Sequence, residues 1–541
     1  MSATSLDSIR ADRAAARERW YRAGVYGERT LADEMAAGAA RFPNARMIFH
    51  SDERSAEATL AEMHERSLAL AGAFSALGLG PGDVVAIQVP NWLEGALVFQ
   101  AAMLVGVVTL PIIHIYGPAE VGFILRQSGA RAFVCPDRWR KIDYLERLEK
   151  LDRSALPALE HVIVIGERAP AGALTWKELL ARAPARFAPH AVSPDDVCML
   201  VYTSGTTADP KGVQHTHNTL LAEVRGARRP LDKTLPPTTG LSAFPAGHIA
   251  GVLGVARLYV HGNSTVLMDA WHAGQAAELV ERHGVVSTSG TPFHLAGLLD
   301  AAERDHRDIR SLFGYVVGAA SVPPALVERA EQAGVRTLRS YGSSEHPTIS
   351  IGSPLDPLAR RSTTDGRLGP HNEVRIVDDE GNDLPAGSPG EILSRGPELF
   401  VGYRDDRLDL DSFLPGGWFR TGDVGVLDAD GYLAITDRKK DIIIRGGENI
   451  SSKEVEDVLA RHPAVQEAAV VAAPDPRYGE RVCAFVIARS GESLDLAAVA
   501  KHFAATGLAV QKTPERLELV EELPRTASGK VKKFELRRRL Q

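Results

Sequence analysis

Ten residues at 203–212, TSGTTADPKG, gather small, hydroxylic and cationic side chains directly behind an apolar run, CMLVYT. That combination suits an anion. Small residues let backbone N–H groups crowd around a charged ligand. The hydroxyls of Thr203, Ser204, Thr206 and Thr207 add hydrogen bonds, Gly205 gives room, and Lys211 adds charge. A Ser/Thr/Gly cluster is often only a polar turn. One that ends in Pro-Lys-Gly after a buried strand is less often so. The P-loop pattern GxxxxGK[ST] is not met. Pro210 stands where its second glycine belongs, and Gly212 replaces the Ser or Thr after Lys211.

Further segments follow in order. They are SYGSSE at 340–345, WFRTGD at 418–423, DRKKD at 437–441, GGENI at 446–450 and PRTASGK at 524–530. Taken singly, a Thr-Gly-Asp is a turn and a lysine near a C-terminus is a solvated charge. Taken in this order with the loop, the chain resembles the adenylate-forming family that includes acyl-CoA synthetases, firefly luciferase and peptide-synthetase adenylation domains. The resemblance runs over nearly the whole chain. Ala208 departs from it, standing where the family loop has a second glycine.

The resemblance implies roles. Thr203, Ser204, Gly205, Thr206, Thr207 and Lys211 would hold the ATP phosphates. Gly318, Ala319 and Ala320 would line adenine and the acyl pocket. Ser340, Tyr341, Gly342, Ser343 and Ser344 would form the adenine and α-phosphate segment, with Tyr341 stacking on the base. Glu345 would help hold Mg²⁺, a hard cation that shares oxygen ligands with phosphates. Asp423 and Arg438 would take the ribose, and Lys530 would bridge the carboxylate and the α-phosphate. Lys440 falls at the hinge, and Gly446, Gly447 and Glu448 would line the path of the thiol. The implied catalytic set is Lys530, Glu345 and Thr203. The implied reaction has two steps. ATP and a carboxylic acid give acyl-AMP and pyrophosphate, and CoA then displaces AMP. The first step brings two anions together, so positive charge and positioning are what the protein must supply.

Phe244-Pro245-Ala246-Gly247-His248 matches the segment bordering the acid. Amino-acid-activating relatives have an aspartate after the phenylalanine. Pro245 leaves a buried ammonium without a partner, which disfavours an amino-acid substrate. His248, Gly251, Val252, Gly318 and His346 are the acyl-pocket candidates. His248, as a lone histidine, reads equally well as a rim or core residue. Small apolar neighbours suit a fatty, alicyclic or aromatic acid. A carrier protein in place of CoA is the runner-up acceptor. A luciferase-like oxidase and a catalytically dead nucleotide-binding protein are further readings, the last opposed by the intact Lys530, Glu345 and Asp423.

These residues need elements to position them. The 541 residues exceed one core, so two or more domains are expected. Short apolar runs such as VVAIQVP at 84–90 alternate with helical patterns at 55–77 and 92–105, which predicts α/β layers with largely parallel strands. Near residue 370 the period changes to two, predicting antiparallel strands and a small β-barrel-like part. The expected fold is a large α/β N-terminal domain at 1–436, a hinge at 437–441 and a small mobile α+β domain at 442–541. The basic tail KKFELRRRL reads as a solvated terminal helix.

A net charge of −7 without a long basic run excludes nucleic acid as the expected partner. Three separated cysteines exclude a disulfide framework and point to a reducing, cytoplasmic setting. The most apolar stretch, at 101–113, is shorter than the ~20 residues of a membrane span. Peripheral membrane contact and a homodimer are compatible with the sequence.

Overall fold

The computed structural model describes residues 5–203, 210–226, 238–506 and 508–540. Two large sheets carry most of the chain. In the first, Val197–Thr203, Val108–Pro111, Val84–Ile87, Ala132–Pro136, His161–Ile165 and Leu174–Thr175 run parallel in that order. Lys211–Thr216 and Gly402–Tyr403 extend it antiparallel beyond Val197–Thr203. All four residues of Val84–Ile87 are buried, as befits a parallel strand covered on both faces. Beyond Glu94 the helix Leu93–Val105 is almost wholly apolar and buried, and it packs against the helix Leu60–Ala76. Gly38 lets the helix Leu31–Arg41 meet the helix Ile249–His261 directly, since a Cβ there would stand 2.1 Å from the Tyr259 carbonyl oxygen.

The second sheet has nine strands among the described residues, from Arg367–Leu368 at one edge to Ala56–Thr59 at the other. Its centre is parallel and includes Ser287–Gly290, Gly314–Gly318 and Arg336–Tyr341. Beyond residue 370 the expected antiparallel part appears as a five-stranded sheet. Glu373–Val377, Gly390–Arg395, Trp418–Leu427 and Phe413–Leu414 pair in that order, and Leu433–Arg438 pairs with Trp418–Leu427.

The C-terminal unit is built on Val465–Asp475 and Gly479–Ala488, an antiparallel pair whose two faces both find cover. Val470, Val482 and Val486 pack with Val455, Leu459 and Phe503. Ala469, Val471, Cys483 and Phe485 pack with Leu523 and Leu536. The period of two thus feeds two separate clusters.

Two expectations need correction. Residues 55–77 are not one helix. Ala56–Thr59 form a strand against Arg46–His50, and the helix begins at Leu60, where Thr59 and Glu62 make a capping box. The terminal helix exists, at Lys533–Arg538, and Arg538 is exposed as expected, but Lys533 and Arg537 are paired rather than solvated. Lys533 pairs with Glu456 at 2.7 Å and donates to Ser452 Oγ at 2.8 Å, and Arg537 pairs with Asp441. The helix contributes Leu536 to the second cluster, so Lys533 and Arg537, on the packed side, find acidic partners. The three cysteines are buried and free of disulfides. Among the described residues, no helix is long and apolar enough to cross a membrane.

Candidate active site

Thr203 and Lys211 are cross-strand partners, so the two ends of the 203–212 loop face each other at the end of an antiparallel pair. Ser204, Gly205, Thr206, Thr207 and Ala208, which carry most of the expected phosphate contacts, lie outside the described residues. Lys211 Nζ stands 5.1 Å above the Tyr403 ring. The Tyr403 hydroxyl donates to Glu345 Oε1 at 2.9 Å.

The strand Arg336–Tyr341 delivers the segment that ends in Glu345. Gly342 has no room for a side chain, because its Cβ would stand 2.0 Å from the Pro347 carbonyl oxygen. The turn closes with Ser343 N donating to the His346 carbonyl at 2.9 Å. The Ser344 carbonyl accepts from His215 Nε2 at 2.8 Å. A carbonyl can only accept, so this nitrogen carries the proton and His215 Nδ1 accepts from Thr219 Oγ1 at 3.1 Å. Burial pushes His215 down to about 4, which keeps the ring neutral.

Gly318 pairs with Ser340 across parallel strands. Ala319 follows it at φ +64°, a left-handed conformation that costs a non-glycine residue about 1 kcal/mol or more. Asp423 and Arg438 are direct partners on Trp418–Leu427 and Leu433–Arg438, with Arg438 Nε 3.1 Å from Asp423 Oδ1. The Tyr341 hydroxyl donates to Asp423 Oδ2 at 2.8 Å.

Lys530 reaches the same place from the C-terminal unit. It ends a hairpin in which Thr526 N donates to the Lys530 carbonyl at 2.8 Å and Gly529 takes φ +81°. A cavity of about 940 Å³ opens between the two units. Ala319, Ala320, Ser340, Tyr341 and Gly342 line it from one side. Asp423 lines it from the same unit, Arg438 and Lys440 from the hinge, and Lys530 from the C-terminal unit. Burial pushes the Lys530 ammonium down to about 8, and Arg438 acts in the same direction, while Asp423 and Glu345 oppose them. The cavity therefore juxtaposes a carboxylate–guanidinium pair, a tyrosine and a lysine of depressed basicity. That set can hold an anion and neutralise charge as it develops.

His248 precedes the helix Ile249–His261, with its ring 6.2 Å from that of Phe244. Burial, reinforced by Lys530, holds it down to about 3, and its buried Nδ1 has no hydrogen-bond partner. Val252 is buried one turn on. Gly251 is small for a local reason, since its Cβ would meet the Pro245 carbonyl oxygen at 2.3 Å.

His346 departs from expectation. It is fully buried, and its ring faces Ser394 Oγ at 3.0 Å and Glu398 Oε1 at 3.8 Å rather than the cavity. Glu345 instead meets the Tyr403 hydroxyl, so the two neighbouring side chains have different surroundings. Gly446 and Gly447, at φ +59° and +92°, turn between Ile443–Arg445 and Glu448–Ile450. Gly446 and Glu448 border a separate cavity of about 480 Å³ with Arg445 and Tyr478, so the thiol-path candidates and Lys530 do not share one cavity here.

Glu345 fits a magnesium ion that arrives with phosphates. One of its oxygens is oriented by Tyr403, and among the described residues no cluster of three or more His, Cys, Asp or Glu could hold a metal alone. Mg²⁺ is commonly held by one or two carboxylates with substrate phosphates completing the shell.

Sequence reasoning missed Tyr403 and His215, and gave Asp437 and Arg525 only as members of the hinge and of the Lys530 signature, without their partners. Asp437 is buried, and its Oδ2 accepts from Ser452 N at 2.6 Å, joining the strand Leu433–Arg438 to the first turn of the helix Ser452–Leu459. None of the four has spacing that signals its partner, because each meets a residue distant in sequence or across a fold boundary.

The sequence model of the AMP-binding enzyme family matches residues 35–404, and that of the AMP-binding enzyme C-terminal domain matches residues 454–530. The medium-chain fatty-acid–CoA ligase of Escherichia coli (strain K12) is 34% identical over 520 residues, covering 95% of this chain and 91% of that protein. The 3-[(3aS,4S,7aS)-7a-methyl-1,5-dioxo-octahydro-1H-inden-4-yl]propanoyl:CoA ligase of Mycobacterium tuberculosis (strain ATCC 25618 / H37Rv) is 37% identical over 503 residues, covering 88% and 93%. The crystal structure of the anthranilate CoA ligase AuaEII in complex with anthranoyl-AMP matches with a TM-score of 0.85 at 26% identity, over 95% of this chain and 97% of that one. The chain belongs to the adenylate-forming AMP-binding enzymes. It is an acid–thiol ligase of the acyl-CoA synthetase class.

Proposed function

We propose that the enzyme activates an apolar carboxylic acid with ATP and transfers the acyl group to CoA. The observation that carries the reading is the meeting of Lys530, from the C-terminal unit, with the Asp423–Arg438 pair in one cavity. In this reading Asp423 accepts from the ribose hydroxyls and Arg438 reaches the same sugar. Thr203, Lys211 and the loop between them hold the phosphates. Tyr341 borders the base. Bound Mg²⁺ near Glu345 would offset phosphate charge.

A carboxylate oxygen of the acid attacks the α-phosphorus, and the bond to the pyrophosphate oxygen breaks. Lys530 spans the two anions as they approach, offsetting repulsion that would otherwise oppose the step. No side-chain nucleophile is needed. In the second step the thiol sulfur attacks the acyl carbon and AMP leaves. That step needs Lys530 withdrawn, with rotation about 437–441 bringing Gly446, Gly447 and Glu448 to the thiol path. The units on either side of that hinge are residues 1–436 and 442–541.

An apolar acid is supported by Pro245 after Phe244, which leaves no carboxylate for an amino group, and by the buried, neutral His248. Relatives named for a medium-chain fatty acid and for a bicyclic propanoate bracket the range of shapes. A panel of fatty, alicyclic and aromatic acids with ATP and CoA, followed by pyrophosphate release and thioester mass, tests the reading. Thioester should appear with pyrophosphate. Pyrophosphate without thioester would overturn CoA as acceptor and favour a carrier protein. Lys530→Ala should slow acyl-adenylate formation by about 10²–10³-fold while sparing thiolysis of supplied acyl-AMP.

A further inference from the structure

The Lys530 hairpin needs something to seat it. Its tip packs against the start of the helix Pro292–Arg304 in the large unit. A Cβ on Gly529 would stand 2.9 Å from Thr291 Oγ1, 3.3 Å from His294 Cε1 and 3.5 Å from Phe293 Cδ1, so the hairpin tip lies close against the helix start and has little room for a side chain there. The Arg525 guanidinium lies 4.5 Å over the centroid of the Phe293 ring. The same guanidinium donates to the Gly529 carbonyl at 2.9 Å and pairs with Glu467.

These contacts differ in kind. Glu467 and Gly529 belong to the C-terminal unit and move with Arg525 wherever that unit goes. Phe293 belongs to the large unit. Phe293 is 40% exposed, so it adds little to the core behind it. What it offers is a flat aromatic face to a guanidinium already held in place by two partners of its own.

We propose that Arg525 and Phe293 are a positioning pair that seats the Lys530 hairpin for acyl-adenylate formation and releases it for thioester formation. The proposal rests on Lys530 being the adenylation lysine. The rotation proposed for thioester formation carries Arg525 away with the C-terminal unit and leaves Phe293 behind, so loss of Phe293 should affect one half-reaction and spare the other.

The test measures both half-reactions in the full-length enzyme. Phe293→Ala should slow ATP-dependent acyl-adenylate formation by about 3- to 30-fold, the range of one cation–π contact. Thiolysis of supplied acyl-AMP by CoA should stay within about twofold of wild type. Phe293→Tyr should restore adenylation because it keeps the ring face, and Phe293→Leu should not. Arg525→Ala should show the same split with a larger loss. The proposal is overturned if Phe293→Ala or Phe293→Leu adenylates at the wild-type rate. Equal loss of both half-reactions with a lowered melting temperature would overturn it too, since that marks a merely structural role. Lys530→Ala run alongside separates the two levels. If that variant adenylates normally, the assignment of Lys530 has failed rather than the seat.

Discussion

The Tyr403 hydroxyl donates to the Glu345 carboxylate at 2.9 Å, and the Lys211 ammonium stands 5.1 Å above the same ring. One residue therefore touches both the end of the phosphate loop and the proposed metal carboxylate. Tyr403→Phe keeps the ring and removes the donor. A hydrogen bond to a charged group contributes about 1.5–3 kcal/mol, so adenylation should fall by about tenfold or more. The Mg²⁺ concentration for half-maximal rate should rise, as read by a magnesium titration of pyrophosphate release. An unchanged titration would show that Tyr403 does not orient the metal carboxylate.

Lys530 must be charged to bridge two anions, yet burial holds it down to about 8. For adenylation, kcat/KM reports the free enzyme and should decline as pH rises through about 8. Thiolysis of supplied acyl-AMP should lack that decline. Lys530→Arg, which stays charged, should remove the fall at whatever residual rate it retains. A pH–rate profile of each half-reaction checks all three statements.

Glu398 is buried, accepts from Asn372 Nδ2 at 2.6 Å and from Thr348 N at 3.1 Å, and is pushed up by burial and by the Glu223 carboxylate. Its folded value lies above its unfolded one. The stability it contributes is thus complete below its ordinary value and is lost as pH rises toward about 8. Glu398→Gln should flatten the decline of stability between pH 5 and 8, by on the order of 1–3 kcal/mol at the upper end, as read from melting curves. Parallel melting curves for both proteins would fail to converge at low pH if this sign were wrong.

Ser451 caps the helix Ser452–Leu459, and Asp437, from outside the C-terminal unit, supports its first turn by accepting from Ser452 N at 2.6 Å and from Ser452 Oγ at 3.2 Å. Asp437→Ala removes an acceptor from a helix start, a change that costs about 0.5–2 kcal/mol. Hydrogen exchange should accelerate at the Ser452 and Lys453 amides and little elsewhere. A uniform acceleration would show that Asp437 supports the fold rather than the junction.

Residue types and order were enough to read the α/β layers, the change to antiparallel strands near 370 and the family. Apolar runs such as Val84–Ile87 can bury both faces only in a covered parallel sheet, and Pro-Lys-Gly after such a strand is a local pattern. Asp423, Arg438 and Lys530 were also legible, as motif residues, though the distances between them were not. Tertiary structure alone decided which way His346 turned, because adjacency to Glu345 says nothing about a side chain after a turn as tight as that at Gly342. It also decided that Lys533 and Arg537 are paired rather than solvated, and that Tyr403 meets Glu345 across 58 residues. Periodicity and motif spacing report what a segment does with its own neighbours. Contacts between side chains far apart in sequence depend on how sheets and units come together, and no local pattern encodes that.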